Sequence, residues 1–460
     1  MIVREGEQMI RRWIYGVLSS LSLIHAADTL EEILTEGKVY GNLKYYYIQT
    51  DKQNGTPKVD SSANANAIGG QLGFKTGVFH GFSAKATFMT TNGIFLDDPV
   101  DASIIGRDNG VLLEGNPNGP AAQRSFSVLG EALIRYEYKG WMADYGRQII
   151  NTPLIHAKVV RMLPSTVQGA MAGYHDTAGG FEIDASYLTH FKQRTSNRFH
   201  NILKHALGEK TREITGRESG EVIYLHAGWR NKDLKLSFYD YYTQDFLNSI
   251  YLNAEYKRSV DRYNYLIGLE GIMQRSIGNA NTNLAKAGSV TGGKRINTEA
   301  FSIKGRLAYA QSHFLAAFSY VAGDSSVHDS LVLPWDGTPL YTNMITSNDL
   351  FNSNYGKGLG ADSLYIGGTT AFKIAYTQTY DFTGYKGFKT VFSYMLADND
   401  RFSKGKQQDF NIVLGYRYDK HFSIALKGIF VKNNTNANAD GSVRQTDDFQ
   451  QYRVIADYRF

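Results

Sequence analysis

The chain has 460 residues, with 46 Gly, 8 Pro, 31 Tyr, 25 Phe, no Cys and a formal net charge of +5. The absence of cysteine excludes a disulfide scaffold, a thiolate nucleophile and a Cys-ligated metal. A mean hydropathy of -0.33, with no apolar run near the roughly 18 residues of a membrane helix, excludes a helical membrane bundle, and the charge is too small and dispersed for a nucleic-acid footprint.

At the N-terminus, Arg11 and Arg12 precede a short apolar stretch from Trp13 to Ile24, then Ala26, Ala27 and Asp28. That order predicts a cleaved signal peptide over 1–27, with an upstream extension if Met9 is the true start. Export through that signal places the mature protein outside the cytoplasm. Residues 28–37 are expected as a short periplasmic segment, where Leu30, Ile33 and Leu34 share a helical face.

From 38 to 460 the pattern has period 2. Val39, Gly41, Leu43, Tyr45 and Tyr47 share one face of a first strand. Phe181, Ile183, Ala185, Tyr187, Thr189 and Phe191 repeat it, with Glu182, Asp184, Ser186, His190 and Lys192 opposite. Phe301, Ile303, Gly305, Leu307 and Tyr309 form another outward set, with Lys304 and Arg306 inward. About 18 such strands of about 10 residues are expected, running from 38–49 to 450–460, the tilted span of a bilayer core. One rim carries tight turns, such as Lys139-Gly140 and Gln311-Ser312. The other carries long polar stretches, 50–66, 92–126, 149–168, 195–220, 276–298, 322–362 and 433–449. The fold class is therefore all-β, a transmembrane antiparallel β-barrel without a second domain. Tyr452, Val454, Ala456, Tyr458 and Phe460 end the chain on one face, and Tyr458 with Phe460 is read as an assembly signal for the barrel-assembly machinery.

A family pattern lies in the middle of the chain. Tyr145-Gly146-Arg147-Gln148, Asn151-Thr152-Pro153-Leu154, Arg161-Met162-Leu163-Pro164 and Gln168-Gly169 follow one another over about 25 residues. In order and spacing they resemble the OprD family (Occ-type) of outer-membrane porins. The resemblance implies a bacterial outer-membrane diffusion channel for small hydrophilic solutes, often carboxylate-bearing. It also implies that the loop near 149–168 folds inward as a constriction, with Pro153, Arg161 and Pro164 on it. Arg161 is expected to be the gatekeeping cation.

By strand parity the inward acids are Glu131, Glu137, Asp144, Glu182 and Asp184. The inward bases are Lys304, Arg306, Lys373, Lys389, Arg417, Lys427 and Arg453. The two sets fall on opposite walls of a closed barrel and predict a transverse field that favours anions. The competing reading is a surface adhesin displaying 92–126 and 322–362 on a barrel scaffold. No catalytic residue, cofactor or metal is expected: Gly288 to Lys294 matches a phosphate loop only in outline, with Arg295 where Ser or Thr belongs, and His200 and His205 lack carboxylates in register. The expected partners are small solutes, outer-membrane lipid and lipopolysaccharide. Nucleic acid is not among them, and either a monomer or a trimer is compatible with the sequence.

Overall fold

The computed structural model describes residues 29–54, 59–94, 112–113, 124–176, 178–287, 291, 293–345, 366–381, 384, 386–399, 406–437 and 443–460. The expected signal peptide lies outside them. A short helix α1 (Leu30–Thr35) opens the described chain, closed at its start by a capping box between Thr29 and Glu32. The Gly77 amide donates to the Ile33 carbonyl, which ties α1 to the rim below the first strands.

The strands follow in order: β1 (Lys38–Asn54), β2 (Val59–Lys75), β3 (Phe82–Gly93), β4 (Phe126–Tyr138), β5 (Trp141–Gln148), β6 (Thr166–His175) and β7 (Phe181–Lys192). Then come β8 (His200–Asn201), β9 (Val222–Arg230), β10 (Leu234–Thr243), β11 (Leu247–Val260), β12 (Tyr263–Ser276) and β13 (Asn297–Tyr309). The last are β14 (Ser312–Val321), β15 (Thr370–Thr379), β16 (Phe388–Asp398), β17 (Gln407–Arg417), β18 (Phe422–Ala437) and β19 (Val443–Arg459). β8 has only two residues and lies on the edge of β7. The other eighteen of these 19 described strands form one antiparallel ring, closed by β1 against β19. The loops carry three further helices, α2 (Ile202–Leu207), α3 (Thr211–Thr215) and α4 (Ala280–Ala287).

The alternation has the expected consequence. Val39, Leu43, Ile183, Ile267, Phe314 and Phe372 are exposed on the outer wall. Inward positions carry polar or charged groups, or the apolar residues that pack against loops folded into the lumen. The barrel closes where the chain ends: the Phe460 amide donates to the Gly41 carbonyl and the Gly41 amide returns the bond to Phe460, both at 3.1 Å. The tight rim turns use left-handed residues, as two-residue hairpins require. Lys139 and Gly140 have φ of 45° and 86°, and Asp261 has φ of 51°.

Four boundaries differ from expectation. The polar stretch 50–66 is a hairpin, since β1 and β2 remain paired out to Asn54 opposite Val59. The stretch 433–449 is likewise mostly strand, because β18 runs to Ala437 and β19 begins at Val443. Beyond the bilayer the outer face need not be apolar, so hydropathy stops alternating while pairing continues. The turn between β13 and β14 is Ala310-Gln311, one residue earlier than Gln311-Ser312. Phe191 points inward, because a bulge in the β6–β7 ladder between Gln168 and Gly169 shifts the parity at the end of β7.

Removal of Phe460 should deplete the protein from the outer membrane. The closing ladder loses its last reciprocal hydrogen bonds, and Tyr458 loses the neighbour that caps its strand. Fractionation and heat-modifiable gel mobility measure this; a truncated chain present in the outer membrane at the wild-type level contradicts it.

Candidate functional site: the lumen constriction

Residues 149–165 are anchored to the inner wall at both sides of the lumen. Asn151 bridges to His156, and the Thr152 hydroxyl donates to the Ile155 carbonyl at 2.9 Å, making a compact turn that contains Pro153. From β10 the Tyr241 hydroxyl accepts from the Leu154 amide. From β1 the Tyr46 hydroxyl donates to the Val160 carbonyl at 3.1 Å, and Lys44 donates to the carbonyls of Arg161 and Met162. From β7 Lys192 donates to the Pro164 carbonyl at 3.1 Å. The segment therefore crosses from the β7–β10 wall to β1. Gly146, just upstream, has φ of 132°, and a Cβ there would lie 2.1 Å from the Ala132 carbonyl, so the glycine in this motif answers a backbone requirement.

A second segment, 322–345, enters the lumen between β14 and β15. Its Val332 amide donates to Gln274 of β12, and its Tyr341 amide to Ser302 of β13. The Ile345 amide reaches Asn411 of β17, and Asn343 accepts from Lys373 of β15. The described part of 322–362 thus packs against the inner wall rather than projecting as a display loop. The two segments meet at Asp336, which accepts from Ser165 and forms a 2.5 Å ion pair with Arg194. All three groups are buried. Desolvation raises the Asp336 pKa, but the Arg194 and Lys158 charges and the hydrogen bonds outweigh it and leave it below the usual range. Removing one partner of such a pair costs about 3–5 kcal/mol, because the other charge stays buried and uncompensated. Leu112 and Leu113 are also buried against Tyr46, Met89 and Leu163.

Helices α2, α3 and α4 cover this assembly. Trp335 donates its indole N–H to the Ile202 carbonyl at the start of α2, and Asn279 and Asn283 beside α4 donate to the carbonyls of Thr215 and Ile214 in α3. His205 of α2 is half-buried, with its ring 4.8 Å from Phe191. Burial pushes its pKa down to about 4.

The expected pore residues fall into two sectors. In the acidic sector each carboxylate has a basic neighbour. Glu131 pairs with Lys85 at 2.8 Å, Asp144 takes both forks of Arg135, and Glu137 lies 3.4 Å from the same guanidinium. Asp184 sits between His175 and His226 at 2.8 and 2.9 Å, and Glu182 is 3.8 Å from His226. In the basic sector Lys304 pairs with Glu255 and lies over the Tyr341 ring. Arg306, Lys389, Lys427 and Arg453 have no carboxylate within ion-pair distance among the described residues. Arg453 is 2% exposed and donates to Gln451 at 2.7 Å. Arg161 is 3% exposed, with Arg453 as a charged neighbour; burial first, then that like charge, bring it down to about 9. Arg161, expected as the gatekeeping cation, is thus covered by the wall, in a cluster with Lys44, Lys427 and Arg453.

Parity analysis missed Lys44 and Tyr46 as anchors of the inward loop, and it missed the whole of 322–345. A signal for the latter was available. Leu331, Val332, Leu333, Trp335 and Leu340 form an apolar concentration that a solvated surface loop has no reason to carry.

A closed ring of eighteen strands, apolar outside and charged within, with segments folded across its lumen, defines an outer-membrane channel protein. The chain belongs to the OprD family of outer membrane porins, whose family model matches residues 31–460. Among solved structures, Pseudomonas aeruginosa OccK1 (OpdK) aligns with a TM-score of 0.68 at 17% identity, covering 93% of this chain and 99% of that one. P. aeruginosa OccK9 (OpdG) gives 0.72 at 17% identity over the same shares. Acinetobacter baumannii OccAB1 gives 0.70 at 13% identity, over 94% and 98%. These likenesses are of fold. No curated protein sequence matches the chain.

The helical cover should loosen in acid. Because the folded state holds His205 well below its usual value of about 6.5, its contribution is complete above pH 6.5 and is lost as pH falls toward 4, for a total of about 3 kcal/mol. Single-channel records should show more frequent conductance steps between pH 6.5 and 4, and His205→Leu should remove that dependence. Identical records at pH 7 and pH 4.5 would contradict it.

Proposed function

We propose that the channel takes up small anionic solutes, carboxylates foremost, past the constriction formed by 149–165. The observation that carries this reading is the unequal pairing of the two walls. In β4 to β7, Glu131 and Asp144 are paired with Lys85 and Arg135, and Asp184 is hydrogen-bonded between His175 and His226. Across the lumen, Arg306, Lys389 and Lys427 have no carboxylate within ion-pair distance among the described residues, and Arg453 adds a buried charge behind them. A solute therefore meets a wall of unpaired cations faced by one whose acids are partly paired, rather than two walls of equal and opposite open charge. Low-dielectric walls and excluded bulk water strengthen the attraction. Successive cations let a carboxylate pass from one to the next, as charged rings do in other pores. OpdK, a barrel of the same fold, has been crystallised with vanillate, a carboxylate, and this supports the reading.

Reversal potentials in a salt gradient test it. The wild-type channel should select anions, and Arg306→Glu with Arg417→Glu should lower the anion-to-cation permeability ratio at least about tenfold, since each nearby charge contributes about 1 kcal/mol even in water. Strong cation selectivity of the wild type, or an unchanged ratio in the double variant, overturns the proposal. The constriction has its own test. Deleting 154–163 should raise unitary conductance several-fold, as the segment that crosses the lumen is lost. A correctly assembled deletion variant with wild-type conductance removes 149–165 from that role.

A further inference from the structure

The outer wall holds an apolar groove of about 810 Å³ over β12 to β17, which solute passage does not use. Its origin is visible in the strand register. One outward row runs Ile267, Gly305, Ala316, Ile374, Tyr394 and Phe410 across six strands. Gly305 and Ala316 are neighbours in it, so the wall is notched by two small residues. Large side chains bound the notch on every side: Ile303 and Phe318 above, Leu307 and Phe314 below. A Cβ built on Gly305 meets nothing within 4 Å, which shows how open the floor is. The row of the lining nearest the short-turn rim holds Tyr265, Leu307 and the Phe314–Tyr376 ring pair.

A cation stands at that end. Arg258 is the cross-strand partner of Tyr265, so it lies on the same outward face, two residues before β11 ends. It is exposed and has no carboxylate partner among the described residues. Helix α1 and Phe460 lie on this rim, which we take as the periplasmic one. The Tyr263–Tyr309 ring pair beside Arg258 marks the depth of the aromatic girdle, where phosphates begin. An arginine placed outward at this depth faces headgroups, whereas the groove above it faces acyl chains.

We propose that this groove binds a phospholipid of the periplasmic leaflet, one acyl chain lying over Gly305 and Ala316 and the phosphate held by Arg258. An apolar slot continuous with an unpaired cation at girdle depth matches both halves of that molecule. Bulk lipid would cover the wall elsewhere without registry, whereas the notch holds a single chain in place.

The test is native mass spectrometry of protein extracted from outer membranes in mild detergent. Wild type should retain one phospholipid per barrel. Gly305→Trp, which fills the notch without a backbone clash, should lose it. Gly271→Trp, an equally open outward glycine two rows away, should keep it. Arg258→Gln should lower occupancy about tenfold, the effect of one charge-assisted contact. Photo-crosslinking of wild type with a diazirine-bearing phosphatidylglycerol needs no variant, and its label should concentrate on residues 303–318. Label spread evenly round the barrel, retention unaffected by Gly305→Trp or Arg258→Gln, a lipopolysaccharide adduct in place of phospholipid, or a homodimer lost in Gly305→Trp would each overturn the proposal.

Discussion

Within hydrocarbon no water is present to pair a free amide or carbonyl, and each unmet group costs several kcal/mol. A sheet in that setting cannot have an edge. The reciprocal bonds between Gly41 and Phe460, and the β1–β19 ladder above them, are where this chain meets the constraint. Once the ring is closed, period 2 assigns every side chain to lipid or lumen. The bulges at Gly130 and Thr189 are the places where that assignment is reset.

Closing eighteen strands also leaves an interior too wide for side chains to fill. The chain fills it with backbone instead. Two segments enter from the long-loop rim, and their polar groups are met by wall residues chosen for reach: Lys44, Tyr46, Lys192, Gln274 and Lys373 each bond a loop carbonyl or amide. Ser165 joins the two segments through Asp336, which the buried Arg194–Asp336 pair ties in turn to the end of β7. Such a pair contributes little net stability against an apolar substitute, yet is costly to break from one side. It suits a contact whose purpose is to hold the position of a constriction.

Electrostatics in the lumen follow from local pairing more than from the residue count. The acids of β4 to β7 and the bases of β13 to β19 look balanced in sequence. In space the acids lie beside Lys85, Arg135, His175 and His226 on the same or adjacent strands. The outer wall shows the same principle in apolar form. Its notch arises because two small residues, unremarkable in their own strands, fall side by side by register.

The sequence alone determined the barrel class, the strand number and nearly every inward or outward assignment, because a bilayer forces period 2 on a strand and that period survives translation into one dimension. The GRQ and R-x-L-P elements also placed the inward loop, since Gly146 and the prolines mark backbone needs that only certain residues meet. What remained for the tertiary structure were the properties that depend on which strands are neighbours. Residues 50–54 and 59–66 lost their alternation outside the bilayer and so could not be told from a loop until pairing was seen. The burial of Arg161, the entry of 322–345 into the lumen, and the pairing of Glu131, Asp144 and Asp184 rest on partners across the strand ladders, from nine to more than a hundred residues away. Periodicity reports the face a side chain occupies; only the closed ring decides what it meets there.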